Sequence, residues 1–267
     1  MSDHTGGSRV LLLGGTAEAR ELADAMHRRG IEFTSSLAGR VAQPRLPVGD
    51  VRIGGFGGAD GLSRWLIDHR TSVVVDATHP FARRISATAA QVCGRLGVPL
   101  LRLRRAPWTA GDNDRWITVP DIASAAEQVG VRGGRVFLTT GRQDAHAFAH
   151  IDSAWFLIRV VDPPTGALPP EHLILTSRGP YRCSDERAIM LTHRIDLLVT
   201  KNSGGQMTRG KLDAAAELGI DVVMVARPDE PAGSTIVDSV NAAVDWVLMR
   251  TEPTSTPWVD QSDSDRG

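Results

Sequence analysis

The run Val10 to Gly30, VLLLGGTAEARELADAMHRRG, narrows the fold more than any other stretch of the chain. Its four apolar residues, Val10 to Leu13, read as a strand buried on both faces, the pattern of a parallel sheet. Gly14-Gly15-Thr16 then supplies a turn free of large side chains. Leu22, Ala23 and Met26 recur at helical spacing, Glu18, Arg20, Glu21 and Asp24 fall on the solvent side, and Gly30 is placed to end the helix. A strand, a glycine turn and a helix N-terminus in this order present backbone N–H groups and a positive dipole end, which together hold a phosphate. The reading is a dinucleotide phosphate site built from Gly14, Gly15, Thr16 and Glu18. The motif is Gly-Gly-Thr-x-Glu rather than G-x-G-x-x-G, and a plain turn of an α/β protein accounts for the glycines equally well.

The next strand, Ile31 to Thr34, separates the two readings. At its end, about 20 residues past the glycines, a chain that binds NAD places Asp or Glu for the ribose hydroxyls. Here stand Ser35 and Ser36, with Arg40 nearby. A carboxylate would repel a 2′-phosphate, whereas hydroxyls and a guanidinium can bond it, so the expected cofactor is NADPH. For Arg40 the alternative is a solvated loop charge. After a short strand at Val51 to Ile53 comes Gly54-Gly55-Phe56-Gly57-Gly58, either a flexible loop anchored by Phe56 or a place where backbone at Gly55 lies close to a flat ligand.

Composition excludes several functions. A net charge of -1 over 267 residues offers no bulk attraction to nucleic acid or to an anionic membrane. Cys93 and Cys183 are far apart and form no C-x-x-C, so neither a zinc knuckle nor a disulfide framework is indicated. No apolar run approaches the ~20 residues of a membrane span, and Met1 to Ser8 lacks the pattern of a signal peptide. The expectation is a soluble, cytoplasmic protein with disordered tails at residues 1–8 and 251–267.

Further along, SVVVDA at Ser72 to Ala77 is a buried strand ending in Thr78-His79-Pro80-Phe81. Polar groups at the carboxyl end of a parallel strand are where open α/β sheets bind ligands. His79 is therefore a candidate proton donor or substrate contact, or simply the cap of the next helix. Between Thr109 and Pro120 the pattern weakens, which places a domain boundary there: a cofactor domain at 9–108 and a second α/β domain at 109–250. The second half echoes the first. SVVVDATHP and GVPLLRLRR have counterparts in DLLVTKNSGG and GIDVVMVAR, roughly 122–126 residues on. A repeat of that size implies two similar layered halves with the ligand cleft between their strand ends.

Cationic and hydroxyl residues recur at the strand ends of the second half. Arg142, Arg159, Arg178 and Lys201, with Asn202 and Ser203, are expected to form one rim suited to a polyanion. Other chemistries fail on residue type. Tyr181 is the sole tyrosine and is not in Y-x-x-x-K, His146 and His150 lack the Glu of H-E-x-x-H, and neither G-x-S-x-G nor a P-loop occurs. No metal site is expected. The remaining reading is a reductase in which the cofactor carries the chemistry, set against a binding module that uses NADPH as a sensor.

The ordered set LLLGGTAEAR, SLAGR, GGFGG, VVDATHPFA, PLLRLRR-x-PW, TTGRQ, RGPY and TKNSGG resembles the precorrin-6A reductase family of cobalamin biosynthesis, from about Val10 to Pro228. That resemblance implies two Rossmann-like parallel-sheet domains and an NADPH-dependent reduction of one double bond of precorrin-6A to precorrin-6B. It also implies a carboxylate-rich tetrapyrrole on the cationic rim, with Phe56 and Trp108 against its flat face and His79 beside it. Thr78 and Gly55 join the cofactor side. Thr16, His79 and Lys201 are the candidate proton sources, with a bound water as the alternative, and other enzymes of the corrin pathway are candidate partners.

Overall fold

The computed structural model describes residues 9–39, 44–231 and 234–251. Arg40, the tail expected at residues 1–8 and the tail expected at the C-terminus from 252 onward lie outside the described residues. The first half runs β1 (Arg9–Leu13), α1 (Ala17–Arg28), β2 (Phe33–Leu37), β3 (Asp50–Ile53), α2 (Ala59–Asp68), β4 (Thr71–Asp76), α3 (Arg83–Leu96) and β5 (Leu100–Leu103). The second runs β6 (Trp116–Val119), α4 (Ile122–Arg132), β7 (Gly134–Leu138), β8 (Ala154–Val160), β9 (His172–Thr176), α5 (Cys183–Thr192), β10 (Leu197–Lys201), α6 (Gly210–Leu218) and β11 (Asp221–Val225). The chain closes with β12 (Thr235–Val237) and α7 (Val240–Thr251).

Two six-stranded parallel sheets result. The first is ordered β3-β2-β1-β4-β5-β12 and the second β9-β8-β7-β10-β11-β6. Both follow the doubly wound order, the direction of winding reversing beside β1 in one sheet and beside β7 in the other, so the switch points are β1/β4 and β7/β10. The repeat read from the sequence is visible in backbone detail. Arg70 and Arg194, on the approaches to β4 and β10, both take left-handed φ values, 48° and 50°.

Apolar residues of alternating register cover both faces of each sheet. Val10, Leu12, Val73, Val75 and Leu101 pack with α1 and α7, while Leu11, Leu13 and Val74 pack with α2 and α3. In the second sheet Val136, Leu138, Phe156 and Val199 pack with α4, and Phe137, Leu157, Leu198 and Met224 pack with α5 and α6. Among the described residues no helix is long and apolar enough to cross a membrane.

The halves differ from the division read in the sequence at the C-terminal end. The weak stretch before Pro120 contains β6, which pairs with β11 and completes the second sheet. The residues after Ser234, assigned to the second half, return instead to the first: β12 pairs with β5, and α7 buries Ala243, Val244, Trp246 and Val247 there. The second sheet is thus one continuous run, β6 to β11, while the first takes its sixth strand, β12, from beyond the second. The reason this is illegible is physical, since three- and four-residue strands carry too few side chains to show a period. Thr251, expected to open a tail, ends α7.

Because α7 closes the face that α1 leaves open, Val244→Ala is expected to cost roughly 2 kcal/mol, near the middle of the range for a buried truncation of this size. Thermal denaturation should show a midpoint lower by about 4–8 °C. An unchanged midpoint would mean that the C-terminal helix is dispensable to the first half.

Candidate functional site

The first switch point is built by Thr16 and Asp76. Thr16 caps α1, its hydroxyl accepting from Ala19 N at 3.1 Å and donating to Ala77 O at 2.8 Å. The glycine turn after β1 is thereby tied to the end of β4. Gly15 has φ 113° with nothing within 4 Å of where a Cβ would lie, an open cradle at a helix N-terminus. Beside it, Ser35 is buried with a hydroxyl that has no partner, and it shares a pocket with Gly14, Gly15, Arg20 and Arg45. An open glycine cradle and an orphaned buried hydroxyl fit the diphosphate and ribose of a dinucleotide.

Asp76 is 1% exposed, and its carboxylate accepts from Thr78 N at 3.0 Å and from the Thr78 hydroxyl at 2.6 Å. Its other oxygen takes Arg102 Nη1 at 2.8 Å, and Arg102 in turn meets Glu230 at 2.7 Å. This network fixes the Thr78-His79 turn from below. His79 is half-buried, with Nδ1 accepting from Phe81 N at 3.3 Å. Loss of hydration, followed by the positive charges of Arg105, Lys201, Arg227 and Lys211, pushes its pKa down to about 3. His79 is neutral at pH 7, and with Nδ1 as acceptor its Nε2 carries the hydrogen.

The second switch point lies opposite. Lys201, at the end of β10, pairs with Asp144 of the second half while its ammonium sits 5.2 Å from the centre of the Phe81 ring of the first. Phe81 packs against the core of the second half, so the two strand-end rims meet across it.

A seam of arginines and glycines holds them there. Arg105, just past β5, gives Nη1 to both oxygens of Glu18 at 2.8 and 3.0 Å and Nε to Ser203 O at 2.7 Å. Arg227, in the matching place after β11, reaches back to Asn202 O and Arg105 O, each at 2.8 Å, and to Ala106 O at 3.2 Å. The Asn202 amide bonds both backbone groups of Trp108, at 2.8 and 3.0 Å, and the Trp108 indole donates to Gly205 O at 3.0 Å. A Cβ on Gly204 would lie 2.1 Å from Ala106 O. Gly204 is therefore needed for close approach of the connecting chain.

Several residues expected at the ligand surface are consequently placed elsewhere. Trp108 is 6% exposed and belongs to the core of the second half, with Lys211 4.8 Å from its ring. Burial lowers the Lys211 pKa to about 7. Arg159 is buried in an ion pair with the fully enclosed Glu186, between the rings of Tyr181 and Phe137. It supports α5 rather than the rim. Asn202, Ser203 and the glycines after them form the seam, Glu18 is taken by Arg105, and the hydroxyls of Thr16 and Thr78 are spent on Ala77 and Asp76. One face of Phe56 is covered by the Arg52 guanidinium, 3.8 Å from the ring centre.

Lys201, Arg142, half-buried and 3.9 Å from Asp162, and Arg178, exposed beyond β9, do stand at strand ends of the second sheet. Ser36 and Gly55 both contact Arg52, which the sequence reading passed over because it sits inside a strand without a motif. Arg105 and Arg227 were also missed, although their recurrence after the two fifth strands of the repeat is a signal that could have found them.

Residues 9–248 match the family model described as precorrin-6x reductase CbiJ/CobK. The chain is 60% identical over 242 residues to precorrin-6A reductase of Mycobacterium tuberculosis, covering 90% of this chain and 97% of that protein. It is 53% identical over 241 residues to precorrin-6A reductase of Rhodococcus erythropolis, with the same coverage. Identity falls to 29% over 251 residues with cobalt-precorrin-6A reductase of Priestia megaterium, covering 88% of this chain and 98% of that one. A solved structure of CobK precorrin-6A reductase superimposes with a TM-score of 0.86 at 39% identity, covering 91% of this chain and 97% of the other.

The depressed pKa of His79 has a measurable consequence. Above pH 6.5 the imidazole is neutral in both the folded and unfolded chain. As pH falls from 6.5 toward 3, only the unfolded chain takes up the proton, so stability is lost at a rate approaching about 1.4 kcal/mol per pH unit. Thermal melts at pH 7.5 and 5.0 should show a smaller loss for His79→Gln than for the parent. Equal losses would mean that His79 is readily protonated in the fold.

Proposed function

The chain belongs to the precorrin-6x reductase family CbiJ/CobK, and from that premise we propose that it reduces one double bond of precorrin-6A with NADPH, giving precorrin-6B. The observation that carries the proposal is the facing pair of switch points, with a dinucleotide cradle at one and a cationic strand-end rim at the other. The high identity to proteins named precorrin-6A reductase favours the metal-free macrocycle over its cobalt form.

In this reading Gly14, Gly15 and the first turn of α1 hold the diphosphate, and Ser35 and Ser36 border the adenosine ribose. The bound nicotinamide supplies a hydride. Arg142 and Arg178 pair with acetate and propionate carboxylates of the substrate and set its register, as guanidinium groups do with carboxylates. Neutral His79 offers Nε2–H as a hydrogen-bond donor at the crevice and withholds a proton, because a group whose pKa is about 3 is deprotonated at working pH. Thr16 is excluded as a proton source by its bond to Ala77 O.

Of the three side chains, Lys201 is left as the proton source. Hydride addition to an electron-poor ring carbon moves the electron pair of the reduced bond toward the conjugated imine nitrogen. An ammonium oriented by Asp144 can stabilise that charge and deliver the proton that completes the two-electron reduction.

The binding-module reading predicts NADPH binding without turnover. Oxidation of NADPH, followed by its absorbance when precorrin-6A is added, separates the two. Lys201→Met should lower kcat about 10²–10⁴-fold, the usual worth of a positioned acid, while leaving NADPH affinity unchanged. A parent protein that binds NADPH and never turns over precorrin-6A would refute the reductase. A Lys201→Met enzyme with full kcat would refute the role of Lys201.

A further inference from the structure

The end of β3 holds a cation that the reaction does not use. Arg52 lies beside Ser36 in the register of β2 and β3, and its Nη1 donates to Ser36 Oγ at 2.8 Å and to Gly54 O at 3.0 Å, while Nη2 donates to Gly55 O at 3.1 Å. The plane of the guanidinium covers Phe56, 3.8 Å from the ring centre, and Phe56 is itself held edge-on by Trp65 at 5.8 Å. Every one of these partners is neutral. Among the described residues no carboxylate pairs with Arg52, unlike Arg102, Arg104, Arg105, Arg132 and Arg159, each of which has one.

A guanidinium fixed in one orientation by neutral oxygens and an aromatic face keeps its full charge, and it spends little further side-chain entropy when an anion arrives. Its three bonds leave two of the five N–H donors of an arginine for such an anion. The position specifies which anion. Ser36, whose hydroxyl takes Arg52, also accepts Gly14 N through its carbonyl at 2.9 Å, so the guanidinium stands one residue from the glycine turn, at the strand end where a dinucleotide presents its adenosine ribose.

We propose that Arg52, oriented by Ser36 and Phe56, is the residue that recognises the 2′-phosphate of the cofactor and so sets the preference for NADPH over NADH; this rests on the NADPH reading given above. The glycine run Gly54 to Gly58 is then explained on the cofactor side. Its backbone must pass close enough for two consecutive carbonyls to reach one guanidinium, and Gly54, Gly57 and Gly58 take φ values of 121°, 81° and 89° to do so.

The test uses fragments of the cofactor, so that turnover is not needed. Binding of 2′,5′-ADP and of 5′-AMP to the full-length protein is measured by calorimetry, for the parent and for Arg52→Gln. The parent should bind 2′,5′-ADP at least tenfold more tightly, and Arg52→Gln should lose most of that difference while holding 5′-AMP as before. If the parent itself makes no distinction between the two, the NADPH reading fails, and this proposal with it. If the parent distinguishes them and Arg52→Gln does so equally, the NADPH reading stands and the assignment to Arg52 is wrong. Equal weakening of both ligands would also overturn it, since Arg52 would then serve the adenosine or its 5′-phosphate. Circular dichroism and the melting midpoint of the variant establish that it is folded in each case.

Discussion

The structure depends on the seam where Arg105, Arg227 and Asn202 stitch the connecting chain to the end of β10. Each half, taken alone, is an ordinary doubly wound sheet, and nothing in such a sheet fixes how a second one must face it. The seam does so with backbone carbonyls as the acceptors. Ser203, Asn202, Arg105 and Ala106 all give their C=O groups to two guanidiniums, and those bonds are indifferent to side-chain identity at the acceptor. Gly204 makes them possible, because any Cβ there would strike Ala106 O. The return of β12 to the first sheet adds to this: chain crosses between the halves twice, once into β6 and once into β12, which restrains them from both ends.

Electrostatics at the crevice follow from the same arrangement. The seam gathers Arg105 and Arg227 near Lys201 and Lys211, and burial, reinforced by this positive charge, keeps His79 neutral. The pull on anions is selective. Arg105 is balanced by Glu18 and Lys201 by Asp144, so the two charges nearest the crevice are oriented by their partners. An excess of that kind suits a substrate bearing several carboxylates, whose own charge would otherwise be costly to bring out of water.

Much of this was legible in the sequence and some was not, for reasons that differ residue by residue. The glycine turn, the capping Thr16 and the buried strands are local features, written in spacing and in apolar runs, and the repeat exposed the two-layered plan. The edge strands β6 and β12 were illegible because they are short and their partners are distant in the chain. Arg159 turned out to pair with Glu186 inside its own half, and Trp108 and Asn202 were misread for another, shared reason. At a strand end, a polar or aromatic side chain points either to a ligand or to the neighbouring half, and sequence spacing is the same in both cases. The TKNSGG run shows this most clearly: Lys201 pairs with Asp144 at the strand end, while Asn202, Ser203 and Gly204 pack against the connecting chain.

If the seam sets the chemistry, a perturbation confined to it should spare binding and slow turnover. Gly204→Ala places a methyl group against Ala106 O without touching the glycine turn or the cationic rim. The account predicts that NADPH binds to this variant within about twofold of the parent affinity, while kcat for precorrin-6A falls about a hundredfold, the scale of loss for reacting groups misplaced by an ångström. Turnover at the parental rate would contradict it, and would mean that the two halves find their working geometry without the seam.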